Sequence, residues 1–346
     1  MSKTDKDQTQ SRVTITQIAE MSGYSISTVS RVINNSDLVD EKTRAHVKAI
    51  MEKTNYMPNK LAQGLVKQAS KTIALIIPDV SNHFFADIIH GVEDNITKNG
   101  YSMYLCNSNF DHDRESRFLE DMVERCADGA IIISAFLQNV PLIHKLNSTS
   151  MRIVGIQTQI NGIDCVNTTD YDGMRQVTEH LLELGHRKIG FICIDLRGCK
   201  FRYQAYLDAL QSYGITPGND YIKENTKNIY NDNPGYFMAK ELLDLPNPPT
   251  AIQALNDYLA LGVYKAIKER GLKIPDDISV TGYDDLQLSC LLDPPLTTVR
   301  QPAYEMGEAG AEILLKNITS GAANSSRREV LFNTQLIVRN STKAIK

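Results

Sequence analysis

From Thr72 onward the chain keeps switching between two kinds of segment, and this alternation restricts its fold more than any other feature. Short runs rich in Ile, Val and Leu are strand-like: IALIIP at 73–78, YSMYLCN at 101–107, GAIIIS at 129–134, RIVGI at 152–156, KIGFICI at 188–194, TAIQALN at 250–256 and ISVTGYD at 278–284. Between them lie stretches with apolar residues at helical spacing, 84–99, 113–126, 172–184, 201–213, 234–245 and 257–270. Strand, helix and strand in succession make a βαβ unit, whose crossover leaves neighbouring strands parallel and covers both faces of the sheet. The strands are too many for one small sheet. The expected class is therefore α/β with two doubly wound subdomains, one about 72–168 with 298–330 and the other about 169–297 with 331–346. Ligands in such sheets sit at the carboxyl ends of the strands.

The first seventy residues follow a different pattern. Residues 1–12 are wholly polar and read as a disordered tail, and 13–58 carry three helix signals. Thr14-Ile15-Thr16-Gln17 has the form of a capping box opening a helix to about Met21; Ser25 can cap a second helix to about Asn34; Asp40 can cap a third, which ends before Pro58. The first two are too short to be stable alone. Joined by Ser22-Gly23-Tyr24 and crossed by the third, they make a helix-turn-helix whose small core is Ile18, Ala19 and Val29 with Val32 or Ile33. The outward face of the second helix then shows Ser27, Thr28, Arg31 and Asn34, all able to bond base edges or phosphates and none acidic. Residues 59–71, NKLAQGLVKQASK, read as a linker that is helical only when supported, because Gly64 weakens a helix by about 1 kcal/mol.

Charge is divided in the same way. Residues 1–71 hold 11 Lys and Arg against 7 Asp and Glu, and the remainder 26 against 34, so a basic head precedes an acidic body. The six cysteines show no C-x-x-C pair, and no apolar run approaches the eighteen or so residues of a membrane span; free thiols, a cytosolic location and no membrane partner are expected. G-x-G-x-x-G, G-x-x-x-x-G-K-[ST] and G-x-S-x-G are all missing, His180 and His186 are too far apart for one metal on a helix face, and Asp284 and Asp285 on a strand would point to opposite sides. No catalytic residue, metal or cofactor is expected, and an enzyme is excluded.

VTITQIAEMSGYSISTVSRVIN, followed by LVDEKTRAHVKAIMEKTNYMPNKLAQGL, resembles the N-terminal domain of the lactose-repressor and galactose-repressor family of bacterial transcription regulators. GHRKIGFI at 185–192, ISVTGYDD at 278–285, PPLTTVRQP at 294–302 and LIVRNST at 336–342 extend the resemblance nearly to the C-terminus. The resemblance implies that Ile26, Ser27 and Arg31 face the major groove, that Thr14, Ser25, Ser30, Asn34 and Thr43 lie near phosphates, and that Thr16 and Asn59 join the DNA-binding set. It also implies a hinge helix from Ala62 to Leu65, with Ala62 and Gln63 in the minor groove and Leu65 wedged into a base step. Gln63 stands where many relatives have arginine.

For the body it implies two lobes like periplasmic sugar-binding proteins, closing on an effector held by Phe84, Phe85, Arg202, Tyr230, Asn256 and Asp284. The function implied is a repressor of carbohydrate-metabolism genes, dimeric on a palindromic double-stranded operator and controlled by a small sugar or sugar derivative. A protein corepressor or a non-sugar metabolite is the alternative controller. Gln157 and Thr158 replace an Asp and Arg common among sugar-sensing relatives, and the chain has no tryptophan to stack on a sugar.

Overall fold

Thr14, Ser25 and Asp40 each start a helix with a side-chain oxygen. The computed structural model describes residues 13–57, 70–149, 151–196, 199–225, 233–320 and 327–345, in one unit up to Ser70 and a second from Lys71. In the first unit α1 (Ile15–Ser22) opens with a full capping box: Thr14 Oγ1 accepts from Gln17 N at 3.4 Å, and Gln17 Oε1 accepts from Thr14 N at 2.8 Å. Ser25 caps α2 (Ile26–Ile33) through Thr28 N at 3.2 Å, and Asp40 caps α3 (Glu41–Lys53) through Thr43 N at 2.9 Å. Each cap contributes about 1 kcal/mol, which matters for helices of eight residues that do not persist alone. Gly23, at φ 71°, ends α1 in the left-handed region, where a residue with a Cβ would cost about 1–2 kcal/mol. Ile18, Val29, Val32 and Val47 are fully buried between the three helices. Val32 fills the core position; Ile33 is only half-buried.

The second unit begins with the N-lobe: β1 (Thr72–Ile77), α4 (His83–Lys98), β2 (Ser102–Asn107), α5 (His112–Glu124), β3 (Gly129–Ile133), α6 (Val140–Asn147), β4 (Arg152–Ile156) and β5 (Asp164–Thr168). The C-lobe follows with α7 (Asp170–Glu183), β6 (Ile189–Cys193), α8 (Lys200–Ser212), β7 (Ile222–Glu224), α9 (Pro234–Leu243), β8 (Ala251–Ala254), α10 (Asp257–Glu269), β9 (Ser279–Thr281) and β10 (Thr298–Arg300). The chain returns to the N-lobe for α11 (Ala303–Ser320) and β11 (Glu329–Phe332), then crosses a third time to β12 (Gln335–Ile337).

Both sheets are parallel, ordered β11-β5-β4-β3-β1-β2 and β7-β6-β8-β9, while β10 and β12 form an antiparallel pair beside β9. The second crossing follows Arg300 rather than preceding residue 298, because β10 stays with the C-lobe; the third follows Phe332. Each sheet reverses its strand order once, between β1 and β3 in one lobe and between β6 and β8 in the other. Crevices form at these switch points. The strands β1, β3 and β6 are apolar and buried along their length, as sheets covered on both faces require. Helix α11 packs on α4 with backbones in contact: a Cβ at Gly307 would strike the Ile88 carbonyl, and one at Gly91 the Tyr304 carbonyl. No described helix is long and apolar enough to cross a membrane.

Candidate functional site

Two sets of residues are candidates, one in each unit. On the head, Ile26 leaves 48% of its surface in water at the start of α2. Ser27, Arg31 and Asn34 are exposed alongside it, and the Arg31 guanidinium has no carboxylate partner among the described residues. Thr14 and Thr16 are exposed at the start of α1. Ser25 Oγ lies 2.7 Å from Ser27 Oγ and 2.9 Å from Thr28 Oγ1, a hydroxyl cluster at the N-terminus of α2. With the helix dipole behind it, this cluster suits an anion.

Asn34 Nδ2 donates to Ser30 O at 2.7 Å and Ser30 is half-buried, so both also finish α2. Thr43 departs from the expected role. It is buried and its hydroxyl donates to Asp40 Oδ2 at 2.8 Å, which commits it to the cap of α3 rather than to a phosphate. Asn59, Ala62, Gln63 and Leu65 of the hinge lie outside the described residues.

In the body, Arg202 and Asp284 come together beyond the carboxyl ends of β6 and β9, and Asn256 follows Leu255, whose carbonyl Arg202 holds at the end of β8. Arg202 lies in the first turn of α8, its guanidinium 3.8 Å from the centre of the Tyr283 ring. Its Nη2 donates to Asp170 Oδ1 at 3.0 Å and its Nη1 to Leu255 O at 3.3 Å. Burial alone would lower its pKa; the Asp170 carboxylate, with Tyr283 and Asp284 behind it, outweighs this and keeps it charged. Asn256 caps α10, its Oδ1 accepting from Leu259 N at 2.9 Å, while its Nδ2 has no partner among the described residues. Asp284 is 8% exposed, at φ 114°. Its Oδ1 accepts from Gln301 Nε2 at 2.6 Å and stands 4.0 Å from Arg202 Nη1. Burial pushes this carboxyl well above the usual range, against the pull of Arg202.

Asp285 turns the other way, onto Arg300 and Arg339 at 2.7 and 2.6 Å. The two aspartates follow β9 rather than lying on it, both with positive φ, yet they diverge as expected of adjacent residues. Phe84 and Phe85 begin α4 beyond β1, but their rings, 5.6 Å apart, are buried in the N-lobe core rather than lining an open face. Tyr230 lies outside the described residues.

Sequence reasoning named Gln157 only as a departure from relatives and missed Gln301, Thr168 and Asp170, which with it join this cluster to the N-lobe. Gln301 Oε1 accepts from Gln157 Nε2 at 2.9 Å and from Thr168 Oγ1 at 3.1 Å, so one carboxamide connects Asp284 to two N-lobe side chains. Asp170 gathers Arg202, Thr168 and the Tyr283 hydroxyl (3.1 Å). A signal existed for Asp170, which opens α7 two residues beyond the end of β5, where α/β sheets hold their ligands.

Beneath the cluster, Asp257 Oδ2 accepts from Ser289 Oγ (2.5 Å) and Leu286 N (2.9 Å), and its Oδ1 from Thr298 Oγ1 (2.6 Å). Burial pushes its carboxyl up to about 6. With the folded value raised, its contribution to stability is whole below the ordinary carboxyl range and is lost as pH rises through about 6. Asp257→Asn has no such dependence. Its Tm relative to the native chain should therefore climb by calorimetry from about pH 4 to about pH 6 and level off above, and a flat difference across that range would contradict the shift.

Residues 14–59 match the family of bacterial regulatory proteins, lacI family, and residues 178–342 the periplasmic binding protein-like domain. The chain is 33% identical over 339 residues to the HTH-type transcriptional repressor PurR of Haemophilus influenzae (strain PittEE), covering 96% of this chain and 99% of that one. The Lac repressor dimer bound to operator and the anti-inducer ONPF superposes with a TM-score of 0.83 at 27% identity, over 96% of this chain and 100% of that one. The transcriptional regulator CelR in complex with cellobiose gives 0.68 at 27% identity, over 95% and 100%. With a capped helix-turn-helix in the first unit and, in the second, two lobes of parallel sheet joined through Asp284 and Gln301, the chain belongs to the lacI family of bacterial regulatory proteins, DNA-binding transcriptional repressors.

Proposed function

We propose that the protein acts as a dimer on a palindromic operator, with Ile26, Ser27 and Arg31 reading base edges, and that a small hydroxyl-rich effector of sugar type in the interlobe cleft controls it. One head offers few base contacts, and two related by a two-fold axis double them on a palindrome. Arg31 suits the O6 and N7 of guanine, and Ile26 suits a thymine methyl. The hinge from Ala62 to Leu65 would order in the minor groove between the two heads.

The observation that carries the effector half is the state of Asp284. It is a buried carboxyl whose Oδ2 has no partner among the described residues and whose nearest cation stands at 4.0 Å. Asn256, next to the Leu255 whose carbonyl Arg202 holds, has an Nδ2 with no partner among the described residues, so the ends of β8 and β9 offer both an acceptor for hydroxyl donors and a donor to hydroxyl acceptors. Vicinal hydroxyls match this pairing. A ligand there competes with Gln301 for the Asp284 carboxyl, and so biases the angle between the lobes; only a difference in affinity for the two angles can move the balance.

A thermal-shift panel of monosaccharides, disaccharides, sugar phosphates, uronic acids, nucleobases and nucleosides tests the effector class. A ligand at about a hundred times its Kd stabilises by about 2.7 kcal/mol, a shift of several degrees. A sugar-class hit supports the proposal. A response to nucleobases alone, or a blank panel, overturns the sugar class and leaves the DNA-binding half standing.

A further inference from the structure

A guanidinium in a ligand cleft is the side chain that best matches a carboxylate or phosphate, through two parallel N–H donors. Arg202, in the first turn of α8, is the cation of the cleft cluster, yet both of its Nη atoms are already engaged. Nη2 donates to Asp170 Oδ1 at 3.0 Å and Nη1 to Leu255 O at 3.3 Å, while the guanidinium lies 3.8 Å from the centre of the Tyr283 ring. The anion it holds belongs to this chain. Asp170 opens α7, a helix of 14 residues whose dipole favours a negative charge there, and the Tyr283 hydroxyl donates to the same Oδ1 at 3.1 Å.

Ion pairs taken out of water are weak sources of stability, because desolvation of the two charges offsets their attraction. Here the Arg202 side chain is 11% exposed and that of Asp170 32%, so the arginine end is buried and the carboxylate end is reachable from solvent. Asp170 Oδ2 and Asp284 Oδ2 have no partner among the described residues. What the cluster leaves vacant is therefore a pair of acceptors. Its charge points the same way: Arg202 brings one positive charge and Asp170 one negative, and Asp284, 4.0 Å from Nη1, adds none when protonated and one negative when ionised. In neither state is the sum positive.

We propose that Asp170 sets the charge specificity of the cleft: it occupies the Arg202 donor that a ligand carboxylate or phosphate would take, so the effector is a neutral or amine-bearing polyol and its phosphorylated or carboxylated counterparts are rejected. This rests on the effector site proposed above and narrows what that site takes. An anionic ligand has to displace Asp170 from Arg202 and then lie beside two carboxyls, and such like-charge juxtaposition opposes binding. A hydroxyl or an ammonium instead donates to the two free oxygens.

Inorganic phosphate probes the guanidinium whatever the effector is. The Tm of the full-length protein is read in phosphate against chloride at equal ionic strength, and Arg202→Gln in the same background subtracts the response of the head and of the salt itself. Native protein and Arg202→Gln should respond alike. Asp170→Asn, which keeps the shape and removes the charge, should bind phosphate about tenfold or more tightly than the native chain, and the gain should vanish when Arg202→Gln is added. A larger response in native protein than in Arg202→Gln overturns the proposal and needs no change at position 170; so does the lack of an Arg202-dependent gain in Asp170→Asn. In the panel described above, a sugar phosphate or uronic acid whose effect is lost in Asp284→Ala would overturn the charge rule and uphold the sugar class. A response to nucleobases alone would overturn the sugar class and leave the phosphate result to decide the charge rule.

Discussion

Arg31→Ala should weaken operator binding by about 2–6 kcal/mol in the dimer, because a bidentate arginine–guanine contact contributes about 1–3 kcal/mol and each head supplies one. In a gel shift at fixed salt this is a loss of about thirtyfold or more, together with collapse of the ratio between operator and unrelated DNA. The head should stay folded: Arg31 is exposed, makes no ion pair among the described residues and lies opposite Val29 and Val32, which hold the core. Retention of specificity by the variant would remove α2 as the reading helix. A uniform loss on every sequence, with a shallower salt dependence, would reassign Arg31 to a phosphate.

Asp284→Ala is expected to abolish the ligand-induced rise in Tm while operator affinity in the absence of ligand stays within a few-fold of native. Removing one partner of a buried, hydrogen-bonded charged contact costs about 2–5 kcal/mol, a thirtyfold to several-thousandfold fall in ligand affinity. The change also leaves Gln301 Nε2 without its acceptor, so the carboxamide is free to turn toward Gln157 and Thr168. Asp285→Asn is the control. Its neighbours are Arg300 and Arg339, outside the Arg202 cluster, so it should lower stability and leave ligand affinity little changed. Equal loss of ligand affinity in both variants would place the site elsewhere.

What the chain disclosed before its structure was known was what is local. The capping box at Thr14, the caps at Ser25 and Asp40 and the alternation after Thr72 rest on neighbours a few residues apart, and the helices expected after Thr72 begin and end within a residue or two of expectation, although α6 was not among them. What escaped depends on distant partners. Strand β5, DCVNT, looks polar, yet all five residues are buried because Asp164 accepts from Asn317 and from Arg328 N, and Asn167 donates to Glu329. Helix α11 was missed although it is the longest described helix, at 18 residues; glycines at 307 and 310 lower its intrinsic propensity. Gly307 is also what admits the α4 backbone. The polar cluster was half legible: Arg202, Asn256 and Asp284 sit in motifs, whereas Asp170 and Gln301 join them only because three crossings bring β5, β9 and β10 to one place.

The same three crossings bear on the order in which the molecule can be completed as it is synthesised. The reading head is finished by residue 56, within the first sixth of the chain. The N-lobe, whose first strand starts at Thr72, lacks α11 and its edge strand until Phe332 has been made, and the C-lobe lacks β12 and the Ser341 contacts to Val280 and Thr297 until a few residues later. Each nascent chain therefore carries a formed DNA-binding head ahead of two unfinished lobes, and both lobes wait on the same last few dozen residues.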